Sequence, residues 1–290
     1  MFRIISIQEF RAALRQQKAV IFLLTSLLFL VSMAFQATAQ GNLMLMQKRV
    51  VFEGNKRIAT VQYANTGQDT ARYVVSLVHN RMKDDGSMER VETPGPGEWF
   101  ADDYVRYFPR NIVLGPNESQ TMKIQLVNNR NMQPGEYRSH LYFRAVPNSG
   151  DSSEDGNTND EELSVSVKAI FGITIPLIIR VGENNSSVQL ADLAFSHQGA
   201  PNLEFSLIRS GNYSVYGDLS VTHVSPAGKK TDVGLVRGVA VYTPGTLRRG
   251  RINLQAPTDV DFSQGSFLVR YSKQKEEKGT LLSEAELVLH

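Results

Sequence analysis

From Gln40 onward, apolar and polar residues alternate over short runs, and Gly, Asn, Asp or Pro punctuates those runs at short intervals. A period of two places successive side chains on opposite faces of an extended strand, so one half of them turns toward a core. No stretch combines a 3.6-residue period with capping residues, so the chain is constrained to layered β-sheet rather than packed helices. Strands are predicted over 43–52, 58–64, 71–79, 105–108, 119–127, 136–146 and 163–180. Turn signals stand between them at Gly54-Asn55, Asn65-Thr66-Gly67, Gly115-Pro116-Asn117 and Gln133-Pro134-Gly135. Seven short strands of this spacing predict an immunoglobulin-like sandwich. Arg180–Ser187 is polar with Gly and Asn and reads as a hinge. Beyond it, strands over 188–195, 203–209, 216–224, 230–236, 238–242, 251–254, 266–271 and 281–289 predict a second sandwich. The fold class is all-β, with domains at 40–182 and 183–290. The two halves show no self-similarity.

The first forty residues bear on compartment rather than fold. Arg3, Arg11, Arg15 and Lys18 stand against the single Glu9, Ala19–Phe35 is uncharged and apolar, and Ala37-Thr38-Ala39 follows. Basic, apolar and A-x-A in that order is the layout of a secretory signal, here 1–39 with cleavage before Gln40. An uncleaved anchor is the competing reading, because the apolar run lies at the short edge of the ~17–25 residues that span a membrane. The whole chain carries a formal charge of +2. Without the leader, 27 basic residues face 28 acidic ones, a net of −1. That balance excludes the basic footprint of a nucleic-acid binder. No later stretch is apolar enough to span a bilayer, so no stable membrane insertion is expected after cleavage. The absence of cysteine removes disulfide frameworks, thiol catalysis and Cys-ligated metals together.

Two neighbouring segments depart from the routine. Residues 147–162 hold six acids and no base, which predicts a mobile loop. Within it Asp151, Ser153, Asp155 and Glu162 come one residue from a calcium-loop pattern. The flanking strands and Thr158 at a normally apolar position count against a metal there, so no cofactor is expected. Directly after the loop, Val165, Val167, Ala169, Phe171, Ile173 and Ile175 share one face of a run that ends at Arg180. Sixteen residues reach roughly 50 Å at ~3.3 Å each, well beyond an ordinary strand of about 5–6 residues. An exposed edge of that length pairs readily with another chain. The alternative is a strand paired wholly within its own sheet.

Enzyme signatures are missing. The five histidines have no H-x-x-x-H or H-E-x-x-H spacing, and no G-x-S-x-G elbow or phosphate-binding loop occurs. Asp102-Asp103 and Glu161-Glu162 are adjacent pairs, which point to opposite faces of a strand. Trp99, Phe100, Tyr104, Tyr107 and Phe108 read as sandwich core and rim rather than a sugar platform.

Four segments in order carry a resemblance. Arg49–Gly54 (RVVFEG), Phe108–Ile124 with Gly115-Pro116 transposed, Tyr137–Pro147, and Phe171–Arg180 (FGITIPLIIR) are similar to motifs of the periplasmic fimbrial chaperones of the chaperone–usher pathway, the PapD-like family. The second half matches in size and β character alone. The resemblance implies two sandwiches set as a boomerang, in the periplasm of a Gram-negative bacterium. Such a chaperone is not an enzyme. It would bind pilin-type subunits by completing their sandwich with Val165, Val167, Ala169 and Phe171, and deliver them to an outer-membrane usher. It also implies that Arg49 anchors the subunit's C-terminal carboxylate, with a strand-seven lysine whose position is occupied here by Pro176. Arg180 resembles an interdomain salt-bridge arginine, although Arg138 stands where the family has the acid partner. Self-dimerisation through the exposed strand is a further possibility. The alternative function is an exported structural or adhesive surface protein of tandem sandwiches.

Overall fold

The computed structural model describes residues 42–127, 131–147, 170–197, 199–255, 257, 260–274 and 279–289. The predicted leader 1–39, the acidic loop from 148 to 162 with Asp151, Ser153, Asp155 and Glu162, and Val165, Val167 and Ala169 lie outside the described residues.

The first sandwich is built from two sheets. One runs β1 (Leu43–Leu45), β3 (Ile58–Asn65), β9 (Ser119–Leu126), β7 (Val105–Phe108). The other runs β2 (Val50–Phe52), β11 (Gly172–Val181), β10 (Gly135–Val146), β4 (Ala71–Val78), β8 (Asn111–Leu114). A short hairpin, β5 (Asn80–Met82) and β6 (Met88–Arg90), continues from β4. Alternation sets the core as the sequence leads one to expect. Val61 and Tyr63 of β3 and Met122 and Ile124 of β9 face Val75 of β4, Leu141 and Phe143 of β10, and Leu177 and Ile179 of β11. Burying one such side chain is worth about 1.5–3 kcal/mol.

The single strand expected over 43–52 is instead two strands in two sheets. β1 pairs antiparallel with β3, whereas β2 crosses over and pairs parallel with β11. The crossing falls at Gln47-Lys48-Arg49, where the apolar alternation lapses. Gln47 Oε1 accepts from the Gln62 amide at 2.7 Å and ties the bend to β3. Three further strands, β5, β6 and β8, each three or four residues long, are not among those expected from the sequence.

The second sandwich packs β12 (Ser187–Ser196), β13 (Asn202–Ser210) and β16 (Leu247–Asn253) against β15 (Lys230–Val241), β14 (Val215–Val224), β17 (Ser266–Ser272) and β18 (Leu281–Val288). The two strands expected over 230–236 and 238–242 are the single strand β15, bulged against β14 between Gly217 and Leu219. The bulge is held where Asp218 Oδ1 accepts from the Gly238 amide at 2.9 Å. Leu203, Leu207, Leu219, Val221, Phe267, Val269 and Tyr271 form the centre of this core. The chain is thus all-β in two sandwiches, and a short 3-10 turn at Asp102–Tyr104 interrupts it.

Candidate functional site

Strand β11 has two different edges. On one side it pairs with β10 along its whole length, from Gly172↔Arg144 to Val181↔Gly135. On the other, β2 covers only Leu177 to Ile179. Among the described residues, no strand covers the second edge of Gly172–Pro176. Backbone donors and acceptors on such an edge are available to another chain. Parity fixes what that edge would present. Ile175, Leu177 and Ile179 face their own core, and the same face continues through Ile173 and Phe171, which are 37% and 56% exposed. An apolar stripe that is core at one end therefore runs into solvent at the other. Ile173 shares the predicted face although it lies outside the predicted donor set. Gly172 lets this segment lie close to β10: a Cβ there would stand 2.2 Å from Tyr142 Cε2.

Arg49 immediately precedes β2, one residue before the pair Val50↔Leu177. Parallel register puts it level with Pro176, the position the resemblance reserves for lysine. Across β10, Pro176 is level with His140, and His140 with Val78 of β4. This row lies on the sheet face turned away from the first core. The Arg49 guanidinium carbon sits 3.8 Å above the ring centroid of Tyr216, in the second sandwich.

Two more arginines of the first sandwich do the same. Arg138 lies 4.6 Å over Tyr242 and Arg180 5.1 Å over Tyr213. A guanidinium on an aromatic face is attracted by about 0.5–2 kcal/mol, more where water is excluded. These contacts join the sandwiches, and a carboxylate sits among them. Glu136, with a fully buried side chain, accepts from Arg180 Nε at 3.2 Å, from the Ser214 amide at 2.9 Å and from Ser214 Oγ at 2.7 Å. Its other oxygen accepts from Thr243 Oγ1 at 3.2 Å. Arg180 also donates to the Ser214 carbonyl at 2.8 Å and reaches Glu53 at 3.4 Å. Arg180 thus has an acid partner and contacts the second sandwich through Ser214 and Tyr213. The acid is Glu136, two residues upstream on β10, so its side chain points to the same side of the strand as Arg138.

Arg138 itself is buried and donates to the Thr243 carbonyl at 2.8 Å and to the Asn80 carbonyl at 3.4 Å. Burial pushes its guanidinium pKa down, and Glu136 opposes the shift. The effect of Arg138 is felt next door. His140 is 2% exposed, and its pKa falls from 6.5 to about 3, first through burial, then through the charge of Arg138. It is a neutral imidazole at neutral pH.

One arrangement has the outline of a hydrolase triad. His79 Nδ1 lies 3.1 Å from Ser139 Oγ, and His79 Nε2 lies 3.7 Å from Asp102. Ser139, however, has no exposed surface, and its Oγ already accepts from the Ala101 amide at 2.9 Å. A nucleophile sealed in a core meets no substrate, so the cluster is a packing element, with His79 stacked on Phe100 at 3.7 Å. Among the described residues, no group of three or more His, Asp or Glu side chains is placed to hold a metal ion.

The aromatic residues near 99–108 divide. Trp99 stacks on Tyr137 at 5.1 Å, Tyr104 and Tyr107 pack against the first core, and Phe108 is 75% exposed.

No protein-family model matches the sequence, and none of the curated proteins does. Among solved structures, the chain is similar to the YadV chaperone, with 12% identity over 86% of this chain and 100% of that one, at a TM-score of 0.42. It is similar to the CupB2 chaperone of Pseudomonas aeruginosa, with 14% identity over 85% of this chain and 100% of that one, at 0.42. It is also similar to the Salmonella enterica SafA pilin in complex with the SafB chaperone, with 18% identity over 87% of this chain and 99% of that one, at 0.41.

Proposed function

We propose that the chain is a non-enzymatic periplasmic chaperone for pilin-type subunits, which it hands on to an outer-membrane usher. The observation that carries this reading is the half-open strand β11. Its apolar stripe leaves its own core at Ile175 and emerges into solvent at Ile173 and Phe171, beside a backbone edge that no strand covers among the described residues. A subunit sandwich lacking its last strand offers the complementary defect. Pairing along Gly172–Pro176 and the segment before it satisfies both sets of backbone groups. Phe171 and Ile173 then enter the subunit core, each worth about 1.5–3 kcal/mol when buried. By the alternation of the sequence alone, Val165, Val167 and Ala169 are proposed to follow Phe171 and Ile173 into the subunit.

Arg49, level with the end of that open edge, is placed to clamp the subunit's terminal carboxylate through two parallel hydrogen bonds. Pro176 supplies neither a charge nor an N–H, so Arg49 would hold the carboxylate without a strand-seven lysine.

The test is co-expression in the periplasm with a pilin-type subunit from the same gene neighbourhood. Wild type should yield a soluble 1:1 complex. Phe171→Asp combined with Arg49→Ala should reduce capture at least tenfold. Phe171→Asp alone should leave the thermal midpoint unchanged, because the ring is exposed. Undiminished capture by the double variant would refute the strand mechanism and favour a structural or adhesive surface protein.

A further inference from the structure

We propose that the β5–β6 hairpin is an interdomain clasp that caps an open edge of the second sandwich and makes both sandwiches unfold as one unit. The inference is independent of any client subunit. The hairpin leaves the first sandwich at the end of β4 and is anchored there by Arg81, which grips Glu98 through two hydrogen bonds of 3.0 and 2.5 Å. Its turn is closed by the Lys83 amide on the Ser87 carbonyl and the Gly86 amide on the Lys83 carbonyl, both at 2.9 Å. Asp85 Oδ1 accepts from the Ser87 amide at 2.9 Å and reinforces it.

What the hairpin touches belongs to the other sandwich. Met82 is 8% exposed and is part of the second core, not the first. At the tip, the Asp84 carbonyl accepts from the Arg249 amide at 2.6 Å. Arg249 lies on β16, the edge strand of its sheet, which pairs with β13 through Ser206. The hairpin therefore meets β16 at Arg249, on the side that no strand pairs among the described residues. The fit is close: Gly86 has φ +82°, and a Cβ there would stand 2.8 Å from Arg248 Nε.

Two sandwiches joined by a hinge and a polar seam are expected to move and melt separately unless the contact between them is large and apolar. An apolar side chain of one seated in the core of the other removes that independence. Neither can open without exposing part of the other.

Native-state hydrogen exchange tests the clasp. In wild type the Arg249 amide should exchange with the same protection and urea dependence as core amides of both sandwiches, Leu141 and Leu207. In Gly86→Leu, Arg249 protection should fall at least 100-fold while Leu141 keeps its own. Met82→Ala removes the inserted side chain without adding charge, and should split urea unfolding into two transitions. Exchange of wild-type Arg249 at the rate of an open edge, or intact protection with a single transition in both variants, would overturn the proposal.

Discussion

Replacing Glu136 with alanine is expected to cost about 3–5 kcal/mol of unfolding free energy, the range for removing one partner of a buried ion pair. The loss is large because the carboxylate is fully buried and has donors from both sandwiches. Arg180 Nε and three donors on Ser214 and Thr243 converge on it. Alanine leaves the Arg180 guanidinium without its buried counter-charge and Arg138 in a more positive surrounding. It also strands the Ser214 amide, whose burial unsatisfied carries a penalty of about 1–3 kcal/mol. Glu136→Gln keeps one acceptor oxygen but no charge, and should fall between wild type and alanine. Urea unfolding at pH 7 gives the ordering. A loss below about 1 kcal/mol for alanine would show that the seam tolerates an empty centre, contrary to the geometry.

Acid should weaken the protein through His140. In the native state this imidazole resists protonation until about pH 3, because it is buried, lies beside Arg138 and has His79 nearby; the Val78 carbonyl offsets this only in part. In the unfolded chain it takes a proton near pH 6.5. Between those two values the unfolded state binds more protons, so stability is intact above about pH 6.5 and is lost as pH falls. The slope approaches about 1.4 kcal/mol per pH unit, or roughly 2.7 kcal/mol at pH 4.5. His140→Leu keeps a side chain of similar bulk between Val78 and Pro176 and removes the titration. The stability difference between wild type and this variant should therefore shift steadily in favour of the variant as pH drops from 6.5 to 4. Parallel pH curves for the two proteins would show that His140 is already charged, or solvated, in the native state.

The sequence announces the sheets more readily than it announces their connections. Alternation over Ile58–Asn65 and Ser119–Leu126 leaves little choice of fold class, and the same parity puts Phe171 and Ile173 on the face that leaves the core. By contrast, β1 and β2 read as one strand, since both alternate and nothing local tells a chain which sheet to join. The β5–β6 hairpin carries a turn signal at Asp85-Gly86, but its arms are too short to show a period. Glu136 was the least legible residue of the site. Its partners lie 44, 78 and 107 residues away, and an acid in a strand is ordinarily solvent-facing. The tyrosines under Arg49, Arg138 and Arg180 were hidden for the same reason. Aromatic content signals a core, and only the packed structure pairs each ring with its cation.

The parallel pairing of β2 with β11 has a consequence for the order in which the molecule can be built. Val50–Phe52 emerges early from any N-to-C process, yet its sheet partner spans Leu177–Ile179. Pairings between such distant segments form late, because the intervening chain must first be closed into a loop. Until β11 arrives, β10 has a bare edge and the first core lacks Leu177 and Ile179. The strand proposed to finish a client's sandwich is thus also the one that finishes its own, and both cores wait on the same late segment of chain.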